Sequence, residues 1–410
     1  MESDIMAAKL IDDIATLGRT FLDSDDGAAR TSLIAAAEAL IVELYTPFEL
    51  AGRLGFGEPS RTAAVRVAFE LGLLKGLADE PRTSEQLAAG TIADPVLVVR
   101  TLKHLAANGL VREVGKDLYA GTRFSKAIDD PAISASLRFT SMVTMPTFLA
   151  LPEFLAKNNY QTPADEDNSP LQFGLQTDKT FYEAIHSDPT LNEVFNNYMK
   201  AYYQSVSRWT EMYPVRERLG GEEPLSSGPL LVDVGGNVGY QLVEFHKRFP
   251  DLHGRLVLQD RASVIASAPA SAWDALPAAV TVLAHDFFTP QPAACRGARA
   301  YYMRFILHDW PDAQCAVILS HLRDAMAGGS SGRSSRSYSR LLINDVVLPD
   351  TGASWRQTSL DWIMMAMFVS RERTESQWRA LLAGAGLQMS GVWHKDGEGL
   401  IEAVLDSDAV

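Results

Sequence analysis

The stretch Leu230-Leu-Val-Asp-Val-Gly-Gly-Asn-Val-Gly239 predicts a buried strand that ends at an acidic residue and opens into a glycine-rich loop. An unbroken apolar run is typical of a parallel-sheet strand, which is covered on both faces. Gly235, Gly236 and Gly239 let the backbone approach a ligand closely, and residues 241–249 have the pattern of a following helix. A plain tight turn needs the same glycines, so the loop by itself only favours a nucleotide-type site.

The residues around the loop distinguish between nucleotide ligands. A dinucleotide fingerprint G-x-G-x-x-G that ends at Gly239 requires glycine at position 234, where this chain has Val234. Asp233 precedes the glycines instead, and a carboxylate there suits a ligand with amino and hydroxyl donors and a cationic centre. The next predicted strand, residues 255–260, ends at Asp260, from which an Asp commonly binds ribose hydroxyls. Together the two acids favour S-adenosylmethionine as the cofactor.

Composition sets the wider limits. With 410 residues, 47% of them hydrophobic, the chain is long enough for two domains, and a net charge of -14 disfavours nucleic acid and anionic membranes as partners. Cys295 and Cys315 are too few for a disulfide framework and lack the spacing of a metal site, so no metal is expected. The amino terminus lacks the pattern of a signal peptide, and we find no run of 18 apolar residues. These features predict a soluble, cytoplasmic protein.

The first predicted domain, residues 1–129, is mainly helical. Residues 1 to about 47 carry a stripe of apolar residues at helical spacing, which predicts burial against a second copy of the chain rather than a membrane, because the polar face is acidic. From Pro59 to Thr122 the pattern indicates three helices and a hairpin that turns at Gly115, the arrangement of a winged helix. Basic and acidic residues balance there, which favours a dimerisation scaffold over DNA binding. The predicted helix ends are a Thr83–Gln86 capping box, an Asp94–Pro95 cap and a final Gly109.

Two further regions follow. Residues 130–215 are predicted to form a helical linker rich in Met and aromatic residues, which suits a planar apolar substrate, although core packing explains any single one. Residues 216–410 alternate strands and helices, which predicts an α/β, Rossmann-like domain. Residues 328–337, rich in Gly, Ser and Arg, predict a mobile loop. The predicted strands are 230–234, 255–260, 280–285, 298–306, 340–347, 388–394 and 399–405, the last two forming an antiparallel hairpin at the sheet edge.

Candidate chemical groups follow the predicted strands, because ligands of such sheets bind beyond the carboxyl ends. His308 follows the fourth strand, and an imidazole that titrates near neutrality suits a general base for a phenol or similar hydroxyl. Asp345, at the end of the fifth strand, and Glu372 are candidate partners for the second ring nitrogen. Glu372 has an alternative interpretation as a surface charge or helix cap, since Thr374 begins a capping box there. Arg304 is either a surface charge or a neighbour of the cofactor.

Six motifs taken in order resemble the S-adenosylmethionine-dependent O-methyltransferases of the caffeic acid type, and most of all the fungal secondary-metabolism branch. The similarity covers nearly the whole chain. It implies a Rossmann-like class I methyltransferase domain, a winged-helix dimerisation domain, and a homodimer whose amino-terminal helices interlock. The motifs are Asp-Val-Gly-Gly-Asn-Val-Gly, Leu-Gln-Asp, His-Asp-Phe-Phe, Ile-Leu-His-Asp-Trp, Leu-Leu-Ile-Asn-Asp with Leu348-Pro349, and Arg-Glu-Arg-Thr-Glu.

The resemblance also implies roles for individual residues. His308 becomes the base, with Asp345 and Glu372 as its flanking acids. Three positions depart from the family pattern: Asn237 replaces a common glycine, Asp345 replaces the usual Glu and is one methylene shorter, and Arg261 replaces a common apolar residue. The implied cofactor contacts are Asp233, Gly235 and Gly236 at the methionine end, Asp260 with the adjoining Arg261 at the ribose, Asp286 and Phe287 at the adenine, and Arg304 beside the cofactor.

Three functions remain open at this stage. The first is methyl transfer to a hydroxyl of an aromatic or polyketide-type metabolite, with His308 as the general base. The second is a pericyclase of the same fold, in which the cofactor's charge assists without methyl transfer; His308 disfavours it, since a pericyclase needs no methylation base. The third is a non-catalytic homologue, which a damaged cofactor loop or base would favour. The predicted substrate pocket consists of Met142, Met145, Phe148, Trp310, Trp362, Met365 and Phe368.

Overall fold

The computed structural model describes residues 2–24, 27–205, 208–220, 228–268, 270–328, 338–395 and 397–406. The chain divides into two compact units, Met1–Ser134 and Ala135–Val410. The three-part division into 1–129, 130–215 and 216–410 stays a prediction. Of the predicted loop at 328–337, all but Gly328 lies outside the described residues.

The first unit is mainly helical, with a small sheet. A π-helical turn, Arg53–Gly57, joins α3 to α4. The helices are α1 (Glu2–Ser24), α2 (Gly27–Leu44), α3 (Pro47–Gly52), α4 (Glu58–Glu70), α5 (Leu73–Gly76), α6 (Ser84–Ala88), α7 (Pro95–Ala107) and α8 (Arg123–Lys126), and the strands are β1 (Arg82–Thr83), β2 (Arg112–Gly115) and β3 (Leu118–Ala120).

The predicted hairpin and helix ends are present in this unit. β2 and β3 pair antiparallel, Thr83 and Gln86 form the capping box, and Asp94 accepts the Val96 N–H at 2.7 Å. The predicted turn at Gly115 is wrong. Gly115 pairs with Leu118 inside the ladder, and the turn falls at residues 116–117, because Asp117 adopts the left-handed backbone that Asp tolerates (φ 52°). The sequence analysis also missed β1, which pairs with β3 but is too short to show alternation.

Helices α1 to α4 leave large apolar side chains in solvent within this chain. Helices α1 and α2 pack together, yet Leu22 is 81% exposed and Phe48 is 88% exposed. Many exposed large apolar side chains in one region are typical of an interaction site. The other large apolar residues that are at least half exposed there are Ile5, Met6, Ile11, Ile41, Val42, Leu44, Leu54 and Phe56.

Between residues 131 and 219 the described secondary structure is helical, and from residue 231 onward helices alternate with strands. The helices are α9 (Pro131–Phe139), α10 (Met145–Lys157), α11 (Pro170–Leu175), α12 (Phe181–Ser187), α13 (Pro189–Ser205), α14 (Trp209–Met212), α15 (Val215–Leu219), α16 (Tyr240–Arg248), α17 (Ala262–Ser267), α18 (Ala270–Asp274), α19 (Asp312–Ala327), α20 (Trp355–Phe368) and α21 (Glu375–Gly384). The strands are β4 (Leu231–Val234), β5 (Leu256–Asp260), β6 (Val280–Ala284), β7 (Ala300–Arg304), β8 (Arg340–Asp345), β9 (Val347–Leu348), β10 (Arg373–Thr374), β11 (Leu387–Lys395) and β12 (Glu398–Leu405).

The main sheet has seven strands in the order β11-β12-β8-β7-β4-β5-β6. Strands β4 to β8 are parallel, while β12 and β11 are antiparallel and form the predicted edge hairpin. All seven predicted strands are present within two residues. β4 lies between β5 and β7, so the strand order reverses beside it, and ligands of open α/β sheets bind at such a point.

Two apolar layers cover the faces of this sheet. Val232 and Val234 point into one layer with Ile318 of α19 and Trp378 of α21, whereas Leu231 points into the other. This alternation follows from the two-residue period of a strand. A third core lies among helices α9 to α13 and includes Phe139, Phe181 and Met367. The helical stretch Pro131–Lys157, which contributes to that core, is long and apolar enough to cross a membrane by length and composition alone; the sequence analysis had expected no such segment.

Candidate active site

The glycine loop after β4 lets a ligand approach its backbone closely. The N–H groups of Gly235 and Gly236 both donate to the Gln259 carbonyl, at 2.8 and 3.0 Å, which ties the loop to β5. Gly235, Asn237 and Gly239 have positive φ angles of 75°, 54° and 81°. A β-carbon on Gly235 would lie 2.6 Å from Ile306 Cδ1, so no side chain fits there. Asn237 takes the left-handed backbone that the family's usual glycine would take.

Asp233 is buried beneath this loop and lacks a partner for one oxygen. Its Oδ2 makes no hydrogen bond among the described residues, and a β-carbon on Gly236 would overlap it. Burial, together with the nearby carboxylate of Asp260, raises the pKa of Asp233 to about 7, although Arg304 opposes the shift. A buried carboxylate oxygen without a donor is costly unless a ligand supplies one. The residues present therefore fit a ligand with an amino or cationic group.

Asp260 holds the loop from the neighbouring strand. Its two carboxylate oxygens accept the N–H groups of Asn237, at 2.8 Å, and of Arg261, at 2.7 Å. The Arg261 side chain is exposed and the residue begins α17. Burial raises the pKa of Asp260. Each carboxylate oxygen keeps a second lone pair, so hydroxyl donors can still bind.

The adenine candidates follow β6. Asp286 is exposed and accepts the Phe288 N–H, and the Phe287 ring lies 3.8 Å from the β-carbon position of Gly235, beside the glycine loop. Trp310 packs edge-on against the rings of Phe287 and Phe288, at 6.1 and 4.8 Å between centroids. The structure therefore groups Trp310, predicted as part of the substrate pocket, with the residues predicted for the adenine.

Arg304, at the end of β7, is held inside the sheet. Its Nη2 donates to both carboxylate oxygens of Glu398 at 3.2 Å, and the two side chains are almost completely buried. Asn344 also donates to Glu398, at 3.2 Å. Glu398, on β12, thus accounts for much of the orientation of Arg304. The sequence predicted Arg304 only as a surface charge or a neighbour of the cofactor.

His308 and Glu372 come together although 64 residues separate them. His308 lies on a short 3-10 turn, Leu307–Asp309, just beyond β7, and its Nδ1 is 2.9 Å from Glu372 Oε1. Glu372 is buried and precedes β10, which pairs with β9 directly after β8. This small parallel ladder brings Glu372 to the carboxyl edge of the main sheet. The predicted Thr374–Gln377 capping box is also present, but Glu372 is not part of it and is buried rather than a surface charge.

Arg373, the neighbour of Glu372, fixes the turn that carries His308. Its guanidinium is fully buried and donates to the carbonyls of Leu307 and Trp310, at 2.9 and 2.8 Å, and to Asp312 at 2.8 Å. Arg371 reaches the same Asp312. Arg373 therefore holds the His308 turn, and Arg371 binds the start of the helix that follows it. Sequence reasoning missed this role of the Arg-Glu-Arg pattern.

A second acid, Asp309, lies against the other nitrogen of His308. Asp309 Oδ1 is 3.4 Å from His308 Nε2, and its Oδ2 accepts the Tyr182 hydroxyl at 2.9 Å. Burial raises the pKa of Asp309 to about 6, with the His308 charge opposing the shift. Sequence reasoning overlooked Asp309, although its position next to His308 was the available signal.

The electrostatic surroundings favour the protonated form of His308. Burial alone would lower the pKa of this imidazole, but the carboxylates of Glu372, Asp309 and Asp345 outweigh burial and raise it to about 10. The ring is 7% exposed and stacks on Phe305 at 5.2 Å between centroids. Carboxylates near both nitrogens stabilise the imidazolium, in which both nitrogens donate.

Asp345 lies near His308 but makes no hydrogen bond to it. Both of its carboxylate oxygens are buried without a hydrogen-bond partner among the described residues. Burial raises the pKa of Asp345 to about 7, while the charge of His308 opposes the shift. The expected flanking contact to the imidazole is thus absent, and the side chain that is one methylene shorter than Glu explains why.

We expect Asp345→Asn to stabilise the fold increasingly as the pH rises. The folded pKa is raised above the unfolded one, so the folded chain binds the proton more tightly, and this carboxyl costs stability as pH rises from the unfolded pKa through about 7. An amide does not ionise. The difference in thermal midpoint between the variant and wild type should therefore increase from about pH 4 to about pH 8. A difference that stays flat, as expected for the exposed control Asp324→Asn, would contradict this.

Two bulky residues beside this site have left-handed backbone. Phe305 has φ 50° and precedes the His308 turn, and Val369 has φ 49° and ends α20 just before Glu372. Such a conformation costs on the order of 1–3 kcal/mol and is typical of functional sites. His308 and Glu372, the two catalytic candidates, therefore each follow a residue with a strained backbone, which the surrounding packing holds in place.

The predicted substrate residues fall into separate groups. Phe368 packs on Phe181 and Tyr182, at 4.3 and 5.8 Å, and through Tyr182 this wall reaches Asp309. Met142 packs on the same helical core, whereas Met145 and Met365 are half-buried at α10 and α20. Phe148 and Trp362 line an apolar cavity of about 410 Å³ whose other residues are Leu151, Pro152, Leu155 and Tyr160. No group of three His, Cys, Asp or Glu placed to hold a metal occurs in the described part of the chain.

Comparison with known proteins identifies the family. Residues 164–388 match the O-methyltransferase domain. O-methyltransferase mfmE of Annulohypoxylon moriforme is 34% identical over 96% of this chain and 95% of that protein. Demethylsterigmatocystin 6-O-methyltransferase of Aspergillus parasiticus is 31% identical over 98% of both chains.

Solved structures agree with this assignment. LepI, solved in complex with SAM, superimposes with a TM-score of 0.81 at 27% identity, over 97% of this chain and 100% of that one. A structure described as a pericyclic reaction enzyme matches equally well. OxaC, solved with sinefungin and meleagrin, gives 0.80 at 26% identity, over 98% of this chain and 99% of that one. The chain belongs to the O-methyltransferase family and is an S-adenosylmethionine-dependent enzyme of the class I methyltransferase fold.

Proposed function

We propose that this enzyme methylates a hydroxyl group of a planar aromatic or polyketide-type secondary metabolite. The observation that carries the proposal is the buried His308–Glu372 pair, 2.9 Å apart, at the carboxyl end of β7 and next to the strand that bears the Asp233 loop. One relative is named for methylation of an oxygen of demethylsterigmatocystin. An apolar wall of aromatic side chains beside the imidazole suits a flat acceptor.

The cofactor residues are proposed from the fit of the loop. Asp233 and the backbone of Gly235 and Gly236 would hold the methionine end, where the orphan oxygen of Asp233 needs a donor. Asp260, with the adjoining Arg261, would hold the ribose. Asp286 and Phe287 would hold the adenine, with Arg304 near the cofactor. S-adenosylmethionine would supply a methyl group on a sulfonium. The acceptor oxygen would give its proton to His308 and bond to this carbon, and the electron pair of the carbon–sulfur bond would stay on sulfur.

The chain's own residues position the acceptor and remove the proton of its hydroxyl group. Glu372 accepts a hydrogen bond from the Nδ1–H of His308. This leaves Nε2 free to take the proton of the acceptor hydroxyl once Asp309 moves aside. Phe368 and Met142 would contact the ring system, and Phe148 with Trp362 would contact an apolar extension. Trp310, Met145 and Met365 complete the proposed pocket. Asp345 acts through its charge rather than through a hydrogen bond.

Incubation of the full-length enzyme with S-adenosylmethionine and candidate phenolic metabolites, followed by mass spectrometry, tests the proposal. The expected product has gained one methyl group and appears in step with S-adenosylhomocysteine. An acceptor converted without S-adenosylhomocysteine would overturn the assignment of methyl transfer.

A pericyclase of the same fold is the second candidate. The observation that favours it is the pair of carboxylates 2.9 and 3.4 Å from the two ring nitrogens of His308, because they stabilise an imidazolium, which donates a charged hydrogen bond that polarises a carbonyl. A structure described as a pericyclic reaction enzyme also has this fold. The same assay separates the two, because a pericyclase yields an isomer of unchanged mass.

We further propose a cytoplasmic homodimer in which α1 and α2 contribute to the interface and the three predicted domains act as scaffold, linker and catalytic domain. The exposed apolar side chains of α1 to α4 support the dimer, and the acidic net charge of -14 disfavours nucleic acid and anionic membrane as partners. Light scattering of the full chain tests the oligomeric state.

A further inference from the structure

Gln259, the last residue but one of β5, is a buried polar residue that joins two segments of the chain. Its side chain is 1% exposed. Its Nε2 donates to Gln291 Oε1 at 2.9 Å and to Cys295 Sγ at 3.4 Å. Gln291 and Cys295 are buried as well. Through this side chain, β5 is bonded to the segment that follows β6.

Packing alone does not explain a glutamine at this position. The Oε1 atom of Gln259 is buried and makes no hydrogen bond within the described part of the chain. An unpaired buried carbonyl oxygen is unfavourable, and a methionine of similar length would fill the same space without one. The stabilising part of the amide is therefore its Nε2, which binds Gln291.

Gln291 lies in the loop of residues 285–292, between β6 and the 3-10 turn Ala293–Cys295. The residues on both sides of Gln291 are prolines. A proline fixes its own φ angle, favours extended backbone in the residue before it and has no N–H group. The backbone around Gln291 therefore has a restricted shape but lacks two donors that could anchor it. The Gln259 side chain supplies an anchor at this point.

The backbone of Gln259 holds the glycine loop at the same time. Its carbonyl oxygen accepts the N–H groups of Gly235 and Gly236, at 2.8 and 3.0 Å. The loop that its side chain holds carries Asp286 and Phe287, the residues proposed for the adenine. One residue of β5 is thus bonded to both ends of the proposed cofactor site, through its backbone at the methionine end and through its amide at the adenine end.

We propose that Gln259 is a positioning residue, which fixes the loop that carries Asp286 and Phe287 relative to the glycine loop without contacting S-adenosylmethionine itself. The proposal rests on the cofactor residues proposed above. The two contacts of Gln259 are separable, because a substitution that removes the amide leaves the backbone carbonyl in place. Loss of the amide therefore frees the adenine end alone.

Helix α19 anchors the same loop at a second point. His321 Nε2 lies 3.1 Å from the carbonyl oxygen of Phe288, which can only accept a hydrogen bond. Loss of the Gln259 amide leaves this anchor intact and frees the part of the loop around Gln291. We therefore expect a moderate loss of affinity for the cofactor in a protein that stays folded.

Calorimetric titration of the full chain with S-adenosylhomocysteine tests the proposal, because this ligand has both ends of the cofactor and needs no acceptor. Gln259→Met and Gln291→Met each remove one partner and keep the side chain's length. We expect each to raise the Kd about 3- to 10-fold, as for the loss of one hydrogen bond, and the double variant to add little. Gln388→Met, exposed on β11, is the matched control and should bind like wild type. An unchanged Kd in both single variants would overturn the proposal, and if a thermal melt shows that Gln259→Met is unfolded, Gln291→Met decides.

Hydrogen–deuterium exchange separates positioning from a general loss of stability. In Gln259→Met without ligand, we expect faster exchange in peptides that cover residues 286–291. Exchange at Gly235 and Gly236 should stay as in wild type, since their N–H groups still donate to the backbone carbonyl of residue 259. Equal acceleration in both loops would show that the substitution only loosens the sheet, which contradicts a positioning role.

A variant that lacks both proposed adenine contacts, Asp286→Ala with Phe287→Ala, distinguishes this inference from the cofactor site on which it rests. If Gln259 acts through these residues, Gln259→Met weakens binding less in this background than in wild type. Equal losses in the two backgrounds refute the positioning role. A background that binds S-adenosylhomocysteine as tightly as wild type shows that the proposed adenine residues are wrong, and the inference falls with them. A background that binds weakly, while Gln259→Met and Gln291→Met bind like wild type, shows that the positioning role alone is wrong.

Discussion

Replacement of His308 by Asn is expected to lower kcat/KM for methyl transfer about 10²- to 10⁴-fold, the range typical for loss of a general acid or base. Asn is smaller and cannot carry the positive charge that Glu372 and Asp309 flank at 2.9 and 3.4 Å. Both the orientation of the acceptor oxygen and the charge that faces it are lost. The binding of S-adenosylmethionine, which we assign to the Asp233 loop, should change little.

Steady-state kinetics with an acceptor found by mass spectrometry, and calorimetry with S-adenosylhomocysteine, measure the two quantities. His253→Asn is the matched control, because His253 is exposed and lies in the loop that enters β5, at the opposite end of that strand from Asp260. A variant that keeps near wild-type kcat/KM would remove His308 from the mechanism. An equal loss of cofactor affinity would mean that the substitution damages the fold, which a thermal melt detects. Glu372→Gln should show an intermediate loss, since an amide still accepts from Nδ1.

The parts of the site that sequence predicted are those with local signals. The β4 strand with Asp233 and the glycines that follow form one segment, so periodicity and composition alone locate the loop that we propose for the cofactor. The His308–Glu372 contact joins segments 64 residues apart, and no periodicity reports such a distance; the resemblance to a family supplied it. The short ladder of β9 and β10, two residues each, creates that contact and is too short to show alternation.

What sequence reasoning missed depends on packing in three dimensions. Arg373 was visible only as one charge among three in Arg-Glu-Arg, and its burial against the Leu307 and Trp310 carbonyls follows from the fold. The strained backbone of Phe305 and Val369 has no sequence signal, because bulky residues normally avoid positive φ. The proposed substrate residues were chosen by type, and the structure separates Trp310, the pair Met142 and Phe368, and the pair Phe148 and Trp362.

Gly236→Ala is expected to raise the Kd for S-adenosylmethionine on the order of 10- to 100-fold, or to destabilise the fold by about 1–3 kcal/mol, the usual cost of overpacking. The added β-carbon would overlap the carboxylate of Asp233 and lie 2.6 Å from Leu258 Cδ1. Gly236 has ordinary backbone angles, so the effect is steric rather than conformational. Because Asp233 is buried and fixed at the end of β4, the carboxylate can yield only by turning away from the loop, where its orphan oxygen would hold the cofactor.

Calorimetric titration and urea unfolding test whether the added methyl group acts through Asp233. The four proteins compared are wild type, Gly236→Ala, Asp233→Ala and the double variant. If the methyl group acts through Asp233, the two substitutions are non-additive, because removal of the carboxylate leaves room for the methyl group. Gly384→Ala is the control, since nothing lies within 4 Å of its β-carbon position. Additive losses of affinity would place the clash at Leu258 and the strand instead. Unchanged affinity in Gly236→Ala would show that the cofactor does not depend on the Asp233 oxygen that faces this glycine.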